Sequence, residues 1–260
     1  MIKIDGKKIA EDVLRRVAEK TTAQQNGKLV IVLVGDDPAS RIFTEKKVLI
    51  AKELMIPSEL LVMPKSISEE ELIKKVKCLG EDGAVSSIIV QLPLPEGISK
   101  ENVIASIPAN KDIDNLKGGS VVLEPAVEVL REIVGIYNLQ LPDLKVSIVG
   151  RGMLIGRPIF NYLKDKVKSI DLIGKDDDRE SIKTADLIVT GVGKNGVLKT
   201  SELKEGAVVI DFGTSMSEKG KLVGDLLIDK EIEGLYTPTP GGTGPILIAK
   251  LFENYLKLSI

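Results

Sequence analysis

Lys145-Val-Ser-Ile-Val-Gly-Arg-Gly-Met-Leu-Ile-Gly-Arg-Pro158 is the stretch around which the rest of the chain is organised. It opens with an apolar run, residues 146–149, that has the length and β-branched content of a buried parallel strand. A glycine-rich turn and a helical pattern follow, an arrangement that presents backbone N–H groups and a helix N-terminus to a phosphate. Gly150 and Gly152 permit a tight turn, and Gly156 lets the helix pack near the strand. The stretch indicates a dinucleotide site, although its glycine spacing is one residue longer than the usual fingerprint and a purely structural turn is the alternative.

Length and composition describe an ordinary globular protein. The chain has 260 residues, 43% hydrophobic and 28% charged, which is enough for one large domain or two modest ones, each with its own core. The net charge of −2 gives no reason to expect binding to nucleic acid or to an anionic membrane. No apolar run approaches the ~20 residues of a membrane span, and the first residues have no signal-peptide core. We therefore expect a cytoplasmic protein.

Two absences limit the chemistry. The chain has no histidine and one cysteine, which excludes serine–histidine and cysteine–histidine catalysis, histidine metal sites and an intramolecular disulfide. No metal site is expected, and acid–base chemistry falls to Lys, Asp, Glu or Tyr. Because Cys78 lies in a helical pattern with Leu72, Val76 and Leu79, we expect a buried thiol.

The order of predicted elements gives the fold class. Helices and strands alternate over residues 7–106, which predicts a parallel sheet with helices on both faces. Its strands are expected at residues 28–34, 58–63 and 85–90. A helix over residues 121–137 connects to a second α/β run, with strands at residues 146–149, 170–173, 187–189, 208–211 and 234–236.

The predicted architecture is α/β, with two α/β lobes flanking a cleft, and the second lobe is a Rossmann-type dinucleotide-binding domain. The first domain comprises residues 1–120 and is completed by a C-terminal helix at 245–260. The second comprises residues 121–244, including the connecting helix.

The first lobe carries candidate catalytic side chains at strand ends. Ser40, Phe43 and Lys47 are spaced by three and four residues, so they share one face of the helix that follows the first strand. A lysine held there and partly desolvated has a lowered pKa and can act as a base or a polarising cation, whereas a solvated surface lysine is the alternative.

Polar side chains also follow the third strand. Prolines at 93 and 95 give a rigid exit that holds Gln91 at the strand terminus. Asp112 and Asp114, in a loop on the same predicted side, offer acceptors for an amino-bearing heterocycle or serve as turn residues.

The second lobe contributes two further loops. Asp211 and Gly213 form a turn at the end of a core strand. The segment 237–245 contains three prolines and three glycines, and Gly241, Gly242 and Gly244 can offer backbone N–H groups at the start of the last helix.

Taken in order, these segments resemble the bifunctional methylenetetrahydrofolate dehydrogenase/cyclohydrolase family. The resemblance spans nearly the whole chain, and seven stretches carry it in register. They are Val34-Gly-Asp-Asp-Pro-Ala-Ser40 with Lys47, Val90-Gln-Leu-Pro-Leu-Pro95, Lys111-Asp-Ile-Asp114, Val149-Gly-Arg-Gly-Met-Leu-Ile-Gly-Arg-Pro158, Val208-Val-Ile-Asp-Phe-Gly213, Leu222-Val-Gly-Asp225 and Thr237-Pro-Thr-Pro-Gly-Gly-Thr-Gly-Pro245.

The resemblance implies oxidation of methylenetetrahydrofolate with NADP, followed by hydrolysis of the methenyl product to formyltetrahydrofolate. It implies Lys47, Gln91 and Asp114 as catalytic residues, and a homodimer formed through the second lobe. The implied substrate-binding residues are Ser40, Phe43, Leu92, Pro93, Asp112, Gly241, Gly242 and Pro245. The implied cofactor-binding residues are Gly150, Arg151, Gly152, Ile155, Gly156, Arg157, Pro158, Lys175, Gly191, Gly193, Asp211, Gly213, Thr214 and Thr243.

The sequence departs from the family pattern in places that affect the predicted activity. Phe43 stands where the family has a tyrosine, and hydride transfer should tolerate the lost hydroxyl more readily than hydrolysis. The loop after Asp114 is shortened, and residues 122–127 lack the cysteine, threonine and glycine of the family's Pro-Cys-Thr-Pro-x-Gly segment. A dehydrogenase that has lost hydrolysis, a non-catalytic nucleotide-binding module and a shikimate-type dehydrogenase are therefore the alternatives.

Charge favours NADP over NAD. NAD-binding folds usually place a carboxylate at the end of the second strand. Here Lys175 lies at that position and Arg151 follows the first glycine, so two cations suit a 2′-phosphate. The carboxylates at 176–178 oppose this preference.

Overall fold

The computed structural model describes residues 1–21 and 27–259, and the chain divides into two compact units. The glycine-turn unit consists of Met1–Asp12 and Pro125–Lys250, and the lysine unit consists of Val13–Glu124 and Leu251–Ile260. The predicted α/β fold class is confirmed, because each unit is built on a parallel sheet with helices between its strands.

The lysine unit has a three-stranded sheet of order β3-β2-β4, formed by β2 (Lys28–Val34), β3 (Ser58–Met63) and β4 (Val85–Val90). Both strand pairs are parallel. The central strand β2 has the sequence Lys-Leu-Val-Ile-Val-Leu-Val and buries every residue after the first. A parallel strand covered on both faces needs such a continuous apolar run.

Helices α2 (Pro38–Glu53), α3 (Glu69–Glu81) and α4 (Lys100–Ala105) follow β2, β3 and β4 in the chain. Each helix is preceded by an aspartate or serine, residue types that favour the N-cap position. The Asp37 side chain accepts the backbone N–H of Ser40 ahead of α2, and Ser68 forms a capping box with Glu71 ahead of α3.

The prediction of a buried thiol is wrong, because Cys78 is exposed. Helix α3 buries Leu72, Val76 and Leu79. A helix turns about 100° per residue, so Cys78 lies about 200° from Val76, on the side of the helix away from the buried stripe.

The glycine-turn unit has a six-stranded sheet of order β1-β13-β9-β7-β5-β6 in which every neighbouring pair is parallel. Its strands are β1 (Ile2–Lys3), β5 (Lys145–Val149), β6 (Ser169–Ile173), β7 (Leu187–Thr190), β9 (Val208–Asp211) and β13 (Leu235–Tyr236). Because β6 and β7 flank β5 on opposite sides, the strand order reverses at β5. Ligands of doubly wound sheets bind at such a point, outside the carboxyl ends of the strands.

The remaining elements are helices and short strands. Two-stranded ladders join β8 (Leu198–Lys199) to β12 (Leu226–Leu227), and β10 (Ser215–Met216) to β11 (Leu222–Val223). The remaining α-helices are α1 (Gly6–Lys20), α5 (Pro125–Ile136), α6 (Gly156–Leu163) and α7 (Thr243–Leu258). No helix of the described residues has the length and apolar character needed to cross a membrane.

Two elements differ from the sequence prediction. The predicted helix over residues 121–137 begins only at Pro125, because proline lacks an N–H and suits the first turn of a helix. The N-terminal residues, predicted to belong to the first domain, form β1 instead, and β1 pairs with β13 at the edge of the six-stranded sheet. A two-residue strand carries too little periodicity to be recognised in sequence.

Candidate active site

Lys47 is the chemically unusual residue of the lysine unit. It lies on α2, is only 8% exposed, and its Nζ donates to Gln91 Oε1 at 3.0 Å. Burial lowers the pKa of the Lys47 amine, and the negative charge of Asp114 opposes that shift. The neutral form of the Lys47 amine is therefore more accessible than that of a surface lysine.

Gln91 is fixed at the carboxyl end of β4. Its backbone N–H donates to Val32 O at 2.9 Å, which continues the ladder with β2. Its side-chain Nε2 donates to Leu92 O at 2.7 Å, so Oε1 is the atom left to accept from Lys47. The Gln91 amide therefore orients the Lys47 side chain, although the two residues are 44 positions apart in the chain.

The loop that carries Asp114 runs alongside β4. Asp112 forms a parallel bridge with Ile88, and Ile88 N donates to Lys111 O at 2.8 Å. Two residues further along, Asp114 lies close enough to Lys47 for each charge to shift the other's pKa. Burial raises the pKa of the Asp114 carboxyl, and the lysine opposes this. Lys47, Gln91 and Asp114 therefore form one cluster.

Asp112 behaves mainly as a turn residue. Its Oδ2 accepts the backbone N–H of Leu116 at 3.1 Å, whereas its buried Oδ1 has no hydrogen-bond partner among the described residues. Burial and then the charge of Asp114 raise the pKa of Asp112 to about 6.

The other predicted substrate residues of this unit are close in the chain to the cluster. Ser40 is buried and Phe43 partly buried on α2, while Leu92 and Pro93 directly follow Gln91 and are joined by a cis peptide bond.

Asn115 was missed by sequence reasoning. It follows Asp114 with a φ of 49°, a region that asparagine tolerates better than most residues. Its Oδ1 accepts Ser120 N at 3.1 Å and its Nδ2 donates to Val122 O at 2.9 Å. Asparagine at a turn directly after a candidate acid was a signal available in the sequence.

The glycine-rich turn of the other unit has the close packing that the sequence predicted. Gly150 directly follows β5 and has a φ of 105°. A Cβ at Gly156 would lie 1.8 Å from Gly150 O, so no other residue fits there. Helix α6 consequently starts directly against the end of the strand, with Arg151, Gly152 and Ile155 in the turn between them.

Arg151 reaches the end of the neighbouring strand β6. Its guanidinium donates to Leu172 O at 3.3 Å and forms an ion pair with Asp177. The same carboxylate accepts Gly174 N at 2.8 Å, and Lys175 is exposed beside it. The end of β6 therefore pairs Arg151 with a carboxylate, and a second, exposed cation lies two residues before that carboxylate in the chain.

Two buried carboxylates brace the ends of β7 and β9. Asp225, which is fully buried, accepts Thr190 Oγ1, Val192 N and Lys194 N at 2.7–2.8 Å. It thereby ties down the loop that contains Gly191 and Gly193. The sequence offered only the Leu-Val-Gly-Asp stretch as a signal for this role.

Asp211 interlocks with Asp225. Burial raises the pKa of Asp211 to about 7, and the Asp225 charge adds to this. Asp211 accepts Gly213 N and Leu226 N. A Cβ at Gly213 would lie 2.1 Å from an Asp225 oxygen, so glycine is required between the two carboxylates.

All of the predicted cofactor residues belong to the glycine-turn unit. Arg157 and Pro158 are in the first turn of α6, and Thr214 is exposed after β9. Thr243, at the start of α7, donates to Asp211 O at 2.8 Å. Gly241, Gly242 and Pro245, predicted to bind substrate, belong to this unit as well.

Two family models match the chain, one for each half. The model described as "Tetrahydrofolate dehydrogenase/cyclohydrolase, catalytic domain" matches residues 4–114. The model described as "Tetrahydrofolate dehydrogenase/cyclohydrolase, NAD(P)-binding domain" matches residues 126–259.

Individual relatives are similar to this chain over almost its full length. The bifunctional protein FolD of Staphylococcus saprophyticus is 34% identical over 97% of this chain and 95% of the relative. A solved methylenetetrahydrofolate dehydrogenase/cyclohydrolase from Campylobacter jejuni is 29% identical, with a TM-score of 0.90, and covers 98% of this chain and 97% of its own. A Trypanosoma brucei structure, complexed with NADP and an inhibitor, has a TM-score of 0.91 at 24% identity, over 99% of this chain and 97% of its own, and is evidence for the fold alone. The chain belongs to the tetrahydrofolate dehydrogenase/cyclohydrolase family.

Proposed function

We propose that this protein oxidises 5,10-methylenetetrahydrofolate with NADP and hydrolyses the methenyl product to 10-formyltetrahydrofolate. The observation that carries the proposal is the buried Lys47 amine, hydrogen-bonded to Gln91 and subject to the charge of Asp114. The membership of both halves in the family supports the same reaction pair.

The lysine cluster suits the hydrolysis step. A neutral Lys47 amine that donates to Gln91 keeps its lone pair free to accept a proton from water. The hydroxide equivalent adds to the electrophilic methenyl carbon, and the water proton is taken up by Lys47. The Lys47 ammonium then gives this proton to N5 as the bond from the carbon to N5 breaks, and the added hydroxyl loses its own proton to solvent as the formyl C=O forms. The net reaction consumes one water and releases one proton, and it needs no metal.

Asp114 suits recognition of the pterin ring. The heterocycle presents an amino group and ring N–H groups, and a carboxylate can accept from two such donors at once. Because the carboxylate also favours the charged form of Lys47, it links substrate binding to the protonation state of the base.

The glycine-turn unit fits a dinucleotide. Only glycine fits at position 156, which brings the N-terminus of α6 directly to the strand end where a pyrophosphate is bound in such folds. Arg151 and Lys175 offer positive charge at the end of β6, where a 2′-phosphate would lie. A bound nicotinamide supplies the hydride acceptor, and the protein's own groups position it.

The deciding experiment follows both activities by absorbance. Purified protein is mixed with methylenetetrahydrofolate and NADP, with NAD in parallel, and the formation of NADPH and of the methenyl product is recorded. Decay of added methenyltetrahydrofolate faster than its uncatalysed rate shows the cyclohydrolase. No response to any folate, with NADP still bound, would overturn the proposal.

Phe43→Tyr is expected to accelerate methenyl hydrolysis about tenfold, while NADPH formation changes less than twofold. The added hydroxyl lies one helical turn before Lys47, and one further hydrogen bond in the transition state is worth about 1.4 kcal/mol. Phe43→Leu is the control, because it removes the aromatic wall without adding a hydroxyl. An unchanged hydrolysis rate in Phe43→Tyr would show that the missing hydroxyl does not limit the reaction.

Replacing Arg151 and Lys175 together by serine is expected to raise the KM for NADP about 100-fold and to leave the KM for NAD unchanged. Two charge-assisted contacts of about 1.4 kcal/mol each account for this factor. Lys183→Ser, at an exposed lysine of the same unit, is the control. Asp177→Asn should lower the KM for NADP, because it frees Arg151 from its ion pair. Equal losses with both cofactors would contradict this assignment.

We further propose that the protein is a homodimer formed through the glycine-turn unit. Met216 and Leu222 are paired across the β10–β11 ladder and are 65% and 38% exposed, which supports an apolar contact there. Sedimentation should give the mass of a dimer for the wild type and of a monomer for Met216→Glu with Leu222→Glu.

We also propose a cytoplasmic location, where the free thiol of Cys78 stays reduced. Cell fractionation with an antibody to the protein tests it, and recovery with an extracellular or membrane fraction would contradict it.

A further inference from the structure

The C-terminal helix α7 places a buried amide against the loop that carries Asp114. Asn254 is fully buried. Its Nδ2 donates to Ile113 O at 3.0 Å and to Leu123 O at 2.8 Å. These carbonyls belong to the residue directly before Asp114 and to a residue near the start of α5, so one amide group joins the middle of the loop to its C-terminal end.

The direction of the amide follows from its neighbours. Both partners are carbonyl oxygens, which can only accept, so the nitrogen has to face them. Asn254 Oδ1 is buried and has no partner among the described residues. A buried unpartnered oxygen is costly, so the asparagine is explained by its two donated hydrogen bonds and not by a balanced polar environment.

The loop itself has little regular structure to hold it. Between α4 and α5 the only ladder contact within the described residues is the bridge from Asp112 to Ile88. Asn115 ties the inner part of the loop through Ser120 and Val122. Asn254 binds the residues on either side of that inner part, Ile113 and Leu123, and its contact with Ile113 is at the peptide group directly before Asp114.

We propose that Asn254 is a positioning residue, which holds Asp114 in place for the pterin ring through the backbone of Ile113. The proposal rests on the function proposed above, because it assigns to Asp114 the recognition of the folate. It makes the last helix part of the substrate site even though Asn254 does not touch the substrate.

Asn254→Ala is expected to raise the KM for methylenetetrahydrofolate about tenfold and to leave the KM for NADP within twofold of the wild type. A merely structural role would lower the active fraction, and hence the apparent kcat, without separating the two KM values. Tyr255→Phe is the matched control: Tyr255 is the next residue on α7, equally buried, and its hydroxyl bonds to Gly27 O. It should leave both KM values unchanged.

A second variant covers the case in which Asn254→Ala does not fold. Asn254→Asp keeps the shape of the side chain and replaces the donating nitrogen by an oxygen, so it should raise the folate KM at least as far. Unchanged folate KM values in the folded variants would overturn the positioning role, as would equal increases for folate and NADP. A wild-type protein without folate activity would instead overturn the proposed function.

Discussion

Lys47→Met is expected to lower the rate of methenyltetrahydrofolate hydrolysis about 1000-fold, within the range that a general acid–base residue contributes. Methionine keeps the length of the side chain and its packing on α2, and removes the amine that accepts the proton of water. The oxidation of methylenetetrahydrofolate should fall less, because hydride transfer needs no base at this position. The measurement is the decay of the methenyl absorbance compared with the formation of NADPH.

The neighbouring lysine provides the control. Lys46 lies next to Lys47 on α2 but is exposed, so Lys46→Met changes the same charge without touching the cluster and should alter neither rate more than twofold. Loss of hydrolysis in both variants would point to a general effect of charge, and full hydrolysis in Lys47→Met would remove the lysine from the mechanism.

The pH profile adds an independent test of the same residue. Burial lowers the pKa of the Lys47 amine below its ordinary value, and the neutral amine is the form that accepts a proton. Hydrolysis should therefore rise with increasing pH and level off below the pH at which an exposed lysine titrates. In Lys47→Met this rise should be absent.

Asp114→Asn is expected to raise the KM for methylenetetrahydrofolate about 100-fold. The carboxylate accepts from two donors of the pterin ring, whereas an amide accepts at one atom and donates at the other, so one favourable contact becomes a clash of donors. The lost charge-assisted hydrogen bond and the clash of donors that replaces it together cost about 2.7 kcal/mol, which accounts for the factor. Initial-rate kinetics at saturating NADP measure it.

The same variant should move the pH profile of hydrolysis toward lower pH. The charge of Asp114 raises the pKa of Lys47 against the larger effect of burial, so its removal lets the lysine pKa fall further. Asp112→Asn serves as the comparison, because Asp112 is engaged with the backbone N–H of Leu116, and we expect its folate KM to change less than threefold. A profile that does not move in Asp114→Asn would separate the carboxylate from the lysine.

The secondary-structure elements and the local motifs could be predicted from the sequence alone. Continuous apolar runs predicted β2 and β5, because a strand covered on both faces needs them. Spacings of three and four placed Lys47 on the helix face where it is found. The role of the glycines in the turn could be predicted because Gly156 packs against the backbone of Gly150, only six positions earlier in the chain. These are short-range effects, and each leaves its signal within a few residues.

Which of these local features come into contact depends on the tertiary structure. The hydrogen bond from Lys47 to Gln91 joins helix α2 to the end of β4, and the pairing of β1 with β13 joins residues more than 230 positions apart. The donation of Asn254 to Ile113 brings the last helix to a loop 141 residues earlier. Such contacts follow from the packing of whole elements, whose free energy depends on residues distant in the chain, and so no local pattern encodes them.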